Sequence, residues 1–319
     1  MIQNISKYRT ELMGIAIIGV ILFHSNIKLG SVNPFYTGYG GVDIFLFLSG
    51  YGLYFAYSKG KEFFPFYRKR FMRVFPTYAV IVLISMLCFG KFSFAKYLLN
   101  LSTIGFWIHK NYFEWYVPSL FIFYLLFPFL YRLLNKSIAL YGVVLLSATC
   151  LLATIRIALN LDEMLMLFII RIPVFSLGVI WGKWAYEKKE LNSKAKSLVY
   201  ISFIIGLILL FLSIHYFSEA DSWKYGYYWY PFILITPGLC VLISNILEKT
   251  NTKIVNGTLY FLGTLSLELY LFHIKVFEHA SSIASYFHIS RIYILGLALV
   301  IIIPLSLAVS KMAKFFFQR

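Results

Sequence analysis

The chain has 319 residues, of which 60% are hydrophobic and only 13% charged, and its mean hydropathy is +0.77. A soluble domain carries about 25% charged residues, so this composition excludes a water-soluble globule and points to the bilayer as solvent. The net charge of +16 does not indicate nucleic acid, because the cations sit in short clusters between apolar runs, as expected of membrane anchoring and contact with anionic headgroups.

A span needs about 20 mostly apolar residues. Such runs occur at 12–28, 39–58, 74–90, 113–134, 138–159, 163–186, 197–217, 228–247, 258–279 and 291–314. The third is short. The moderately apolar stretch 92–108 is expected to be interfacial or re-entrant. Charge bias tests this count. With the N-terminus inside, the inner segments hold 20 cations and the outer ones six (Lys28, Lys91, Lys96, Lys110, Lys224 and Arg291), while Arg156, Arg171 and Lys275 fall in spans. Such a bias supports ten spans with both termini cytoplasmic. The expectation is an all-α, polytopic transmembrane bundle in the cell membrane, with 1–319 as a single domain. No loop is long enough for a second domain, and no cleavable signal peptide is read. Cys88, Cys150 and Cys240 are widely spaced within apolar runs and fit neither a disulfide framework nor a zinc site.

Charge in hydrocarbon is costly, so ionisable residues near or within spans map candidate function. They are Glu11, His24, Asp43, Glu114, Arg156, Arg171, Glu268, His273, Lys275 and Glu278. His24 stands 13 residues past Glu11, ~20 Å along the first helix at 1.5 Å per residue, in the outer half of the bilayer. His273 reaches a similar depth in the ninth span, which runs in the same direction. Asp43 and Glu114 open spans that begin outside, and Arg171 lies near mid-depth. A neutral imidazole at that depth is suited to act as a general base toward a hydroxyl, with a carboxylate to orient it. The alternative, helix-bridging polar groups, weighs about equally for any one residue. The basic run Arg68, Lys69, Arg70, Arg73 before Pro76 suits the phosphates of a coenzyme, although basic residues inside also follow from topology alone. Gly178 and Gly182 have a small-xxx-small spacing that permits close helix approach.

Together these segments resemble the acyltransferase-3 family of membrane acyltransferases. The resemblance rests on YRTELMGIAIIGVILFHS (8–25), GGVDIFLFLSGYGL (40–53), FYRKRFMRVFPTY (66–78), EWYVPSLFIFYLLFPFL (114–130), RIPVFSLGVIWG (171–182) and LGTLSLELYLFH (262–273), six pieces in family order over most of the chain. It implies transfer of an acyl group, usually acetyl, from cytoplasmic acyl-CoA as co-substrate, with no permanently bound cofactor and no metal. The implied acceptor is a hydroxyl of a cell-surface carbohydrate or its lipid-linked precursor, with glycan-synthesis proteins as partners. Carried over by position, His24 is the catalytic base or transient acyl carrier, with Glu268, His273 and Arg171 as further catalytic candidates. Arg68, Arg70 and Arg73 are implied donor ligands, and Asp43, Trp115 and Tyr270 fall on family binding positions. Many members carry Arg eleven positions before the histidine. Here that position is Met13, and the nearest arginine is Arg9, so either Arg171 or another cation substitutes, or the chain belongs to a divergent subgroup. O-succinyl transfer, a glycan-precursor transporter and a purely structural subunit are the competing expectations.

Overall fold

The computed structural model describes residues 1–25, 27, 33–60, 62–90, 92–108, 113–287 and 291–317, and among these it contains helices and no strand. Lys28, Lys91, Lys110 and Arg319 lie outside the described residues. The helices are α1 (Ile2–Lys7), α2 (Arg9–Ser25), α3 (Gly41–Ser58), α4 (Phe63–Phe89), α5 (Phe94–Leu101), α6 (Ile104–Ile108), α7 (Tyr116–Lys136) and α8 (Ile138–Ala158). They continue as α9 (Met164–Ile169), α10 (Ile172–Tyr186), α11 (Ser193–Tyr216), α12 (Glu219–Tyr225), α13 (Phe232–Thr250), α14 (Lys253–Thr264), α15 (Ser266–Phe287) and α16 (Arg291–Phe317). A 3-10 turn, Tyr36–Gly40, leads into α3.

Among the described residues seven helical stretches are long and apolar enough to cross a membrane, and an eighth results if α14 and α15 are taken as one bent span. The protein is therefore a multi-pass membrane bundle. Among the expected spans, α2 is only 17 residues long, and α3 carries Asp43 and the three tyrosines Tyr51, Tyr54 and Tyr57. Both are enclosed by neighbouring helices. The short third run proves to be the second half of α4, a 27-residue helix with Pro76 inside it, so the basic run is helical and not a loop. The 258–279 run is broken at Leu265 into α14 and α15, bent by 73°. The 92–108 stretch forms two helices of eight and five residues, each too short to cross a bilayer.

α3 and α10 form the centre. A Cβ on Gly178 would strike the Phe47 carbonyl, and one on Gly50 would strike the Phe175 carbonyl, so the two backbones touch along this crossing. α8 and α11 lie at the periphery with mostly exposed apolar side chains, the pattern of lipid-facing helices.

Hydrogen bonds sort the helix ends into two sets. At one end Gln3 Nε2 donates to the Ala185 carbonyl (3.0 Å), Asn4 Nδ2 to Asn245 Oδ1 (2.9 Å) and the Tyr54 hydroxyl to Asn135 Oδ1 (3.0 Å). These gather α1 with the C-terminal ends of α3, α7, α10 and α13. At the other end the Tyr39 hydroxyl donates to the Tyr228 carbonyl (3.0 Å) and Arg156 Nη1 to the Lys224 carbonyl (2.8 Å).

Candidate active site

Among the described residues, two of the cavities bear on the candidate site residues. The first, of about 310 Å³, lies toward the end that holds α1 and is lined by Arg9, Met13, Arg70, Arg73, Tyr116, Tyr124, Glu268, Tyr270 and Ser310, among others. Arg70 and Arg73 stand on the first half of α4, and Arg9 begins α2. The three guanidiniums bear on one another as like charges, and none makes an ion pair among the described residues. The Nε atoms of Arg9 and Arg70 are buried without a hydrogen-bond partner. Gly52 on α3 leaves the space that the Arg9 guanidinium fills, since a Cβ there would collide with it. A concentration of unpaired, partly desolvated guanidinium donors is an anion site, and the planar fork suits phosphate best. Arg68 is exposed and does not line this cavity.

The second cavity, of about 90 Å³, lies toward the opposite end. Its walls include Phe23, Tyr36, Tyr39, Trp115, Trp223, Tyr228 and Trp229, with His24, Arg171 and Glu219 as the titratable groups. Here α2 ends at Ser25, so His24 stands in its last turn with an accessible ring. His273, on α15, is fully buried behind it. Their rings meet edge to face, with His273 Nε2 3.2 Å from His24 Nδ1.

This contact assigns the protons. His273 Nδ1 lies 2.5 Å from the Tyr270 carbonyl, which can only accept, so Nδ1 carries the hydrogen and Nε2 of the neutral ring is an acceptor. His24 Nδ1 faces two acceptors, the Val20 carbonyl at 3.0 Å and His273 Nε2, and therefore also carries a hydrogen. The remaining nitrogen, His24 Nε2, keeps its lone pair. The pair thus fixes the tautomer and orientation of an available base.

Arg171 sits at the break between α9 and α10, where its chain caps the second helix. Its Nε lies 3.7 Å from Asp43 Oδ1, both residues being about 1% exposed. Its guanidinium lies over the rings of Trp115 (4.9 Å) and Trp229 (5.8 Å). Nη1 donates to the Leu167 carbonyl (3.2 Å), while Arg171 Nε and both Asp43 oxygens lack hydrogen-bond partners. Such a pair holds a positive charge beside the base without neutralising it fully. Among the described residues no group of three or more His, Cys, Asp and Glu is placed to hold a metal ion.

Thus His24, Arg171, Trp115 and Tyr270 share the second cavity, with Asp43 and His273 directly behind it. Arg70, Arg73, Glu268 and Tyr270 share the first. Arg9, noted from the sequence only as the arginine nearest the family's usual position, and the aromatic walls from Tyr36, Tyr39, Tyr228 and Trp229 were not assigned to the site by sequence. Arg9 had a signal, since it precedes Met13 by four residues and so lies on the same helix face. The aromatic walls had none, because they come from the 3-10 turn before α3 and the turn before α13, which are far apart in sequence.

The acyltransferase-3 family model, an acyltransferase domain, matches residues 12–311, nearly the whole chain. The chain belongs to the acyltransferase-3 family. No curated protein and no solved structure matches it. Membership makes the chain a membrane acyltransferase in the general sense. In this acyltransferase-3 member, the motif ending in His24 and the motif ending in His273 meet at one point.

Proposed function

We propose that this protein is an O-acyltransferase of the cell membrane. It moves an acetyl group from cytoplasmic acetyl-CoA to a hydroxyl of a cell-surface polysaccharide or its lipid-linked precursor. The observation that carries the reading is the opposition of the two cavities: an arginine-lined one at the basic end of the bundle, and one at the other end that holds a histidine with a free Nε2 lone pair. The charge bias puts the arginine end in the cytoplasm, where acyl-CoA is available. Arg9, Arg70 and Arg73 hold the coenzyme phosphates. Tyrosine and tryptophan walls offer apolar faces with polar tips, which suit a sugar ring.

In the reaction, the acceptor hydroxyl gives its proton to His24 Nε2 as its oxygen attacks the thioester carbonyl carbon. The developing oxyanion is stabilised by the Arg171 guanidinium. The carbon–sulfur bond then breaks and the coenzyme thiolate takes up a proton. His273 orients His24 through the Nδ1–H contact, and Asp43 holds Arg171.

The test is transfer of label from acetyl-CoA to an isolated surface glycan by purified protein, compared with His24→Ala. General-base catalysis contributes about 10²–10⁴-fold, so H24A loses at least 100-fold at equal protein level. Retained transfer by H24A overturns the mechanism. Glycan translocation without any acyl donor establishes a transporter instead.

A further inference from the structure

Among the described residues Tyr270 alone lines both cavities, and three contacts fix it there. Its carbonyl accepts from His273 Nδ1, and its hydroxyl donates to Glu114 Oε1 at 2.9 Å. Its ring packs 5.0 Å from that of Tyr116 and 6.4 Å from that of Phe45. Glu114 is anchored in turn, because its Oε2 accepts from the backbone N–H of Val117 (2.9 Å) at the start of α7. Next in the chain, Trp115 faces the second cavity and Tyr116 the first. The start of α7 and the side of α15 therefore meet as a partition, closed by one buried phenol–carboxylate hydrogen bond. Burying the Glu114 carboxyl is costly, and the hydrogen bonds it accepts from the Tyr270 hydroxyl and the Val117 N–H offset that cost.

Transfer between the cavities demands that the acyl carbon and the attacking oxygen approach to about 3–3.5 Å. The Tyr270 ring stands at the wall common to both cavities. Resting on the acyltransferase reading above, we infer that Tyr270 is the gate for the acyl group and the gauge of its size. The bond to Glu114 holds the gate shut, and release of the bond admits a short acyl group toward His24. In productive turnover the acceptor oxygen bonds to the acyl carbon while the carbon–sulfur bond breaks. The electron pair leaves on sulfur, and the hydroxyl proton passes through His24 to the thiolate. When the gate stands open without an acceptor, water takes the place of the hydroxyl, and the products are the free carboxylic acid and coenzyme A thiol. The latch suppresses this loss by keeping water of the second cavity away from the thioester.

The experiment measures thiol release by the full-length protein in nanodiscs, without acceptor, from acetyl-CoA and from butyryl-CoA. The wild type releases thiol slowly from acetyl-CoA and not measurably from butyryl-CoA. Tyr270→Phe keeps the ring and loses the latch, so acetyl-CoA hydrolysis rises roughly 10-fold, as expected for one hydrogen bond to a charged group. Tyr270→Ala removes the gauge and also hydrolyses butyryl-CoA. Glu114→Gln, which weakens the latch from the other side, gives an intermediate rise and covers the case in which a Tyr270 variant does not fold. Wild-type rates for all folded variants, in protein that binds coenzyme A, overturn the gate and leave the acyltransferase reading standing. A wild type that binds no coenzyme A in the same nanodiscs overturns that reading and the gate with it.

Discussion

Asp43 and Arg171 are the residues whose removal separates structure from chemistry most clearly. They are buried together, 3.7 Å apart, inside a chain with few internal charges. Removing one member of a buried pair leaves an uncompensated charge and costs roughly 3–5 kcal/mol. Asp43→Asn is therefore expected to lower the melting temperature of the detergent-solubilised protein sharply. The double variant D43N/R171M, which removes both charges, should recover most of that loss yet transfer no acyl group, because Arg171 lines the cavity beside His24. A double variant no more stable than D43N alone would mean that the arginine, and not the pairing, supports the fold. At this scale the sequence was informative where depth decides position. Counting residues along two helices of the same direction put His24 and His273 at one level, and their rings do meet. It was uninformative where side chains converge from different elements, as with Arg9 and Arg70, whose meeting depends on helix rotations that no single segment specifies.

Among the helices, the crossing of α3 and α10 sets the geometry of that pair, because α3 begins beside Asp43 and α10 begins beside Arg171. The crossing is close because Gly50, Gly178 and Gly182 present no Cβ to the opposite backbone. Gly178→Ala puts a methyl group against the Phe47 carbonyl, and overpacking of this kind costs about 1–3 kcal/mol. Gly142→Ala on the peripheral α8 meets nothing within 4 Å and should be neutral or slightly stabilising through helix propensity. Thermal melts of the two single variants in the same detergent check this. Equal melting temperatures would show that the two helices slide apart freely. The spacing of Gly178 and Gly182 announced a close approach in the sequence, but not its partner. The breaks at Leu265 and at Ile170–Arg171 were illegible for another reason. Both stretches stay apolar on average despite Arg171 in one and Gly263, Thr264 and Ser266 in the other, and an averaged hydropathy is blind to a break inside its window.

For the whole molecule, the proposed reaction makes the bundle a path between two ends. Hydrogen bonds group α1 with the ends of α10 and α13, and Tyr39 with Tyr228 at the opposite pole. These contacts say which helix ends lie together, whereas the proposal that one pole faces the cytoplasm rests on the sign of the charge. We read the 20-to-six cation bias, counted on ten spans, as placing the α1 pole inside, and the proposed direction of transfer depends on that reading. α11 offers a direct test, because its 24 residues run from one pole to the other with exposed residues at each end. In a variant with Cys88, Cys150 and Cys240 replaced, a single cysteine at Lys194 lies just inside the first turn of α11, and one at Lys224 lies on α12 beyond its far end. A membrane-impermeant maleimide applied to intact cells should label Lys224→Cys and leave Lys194→Cys unlabelled until the cells are opened. The reverse pattern would put the arginine cavity outside, away from cytoplasmic coenzyme A. The donor would then have to be something other than an acyl-CoA, even though the His24–His273 pair and its free nitrogen would be unchanged.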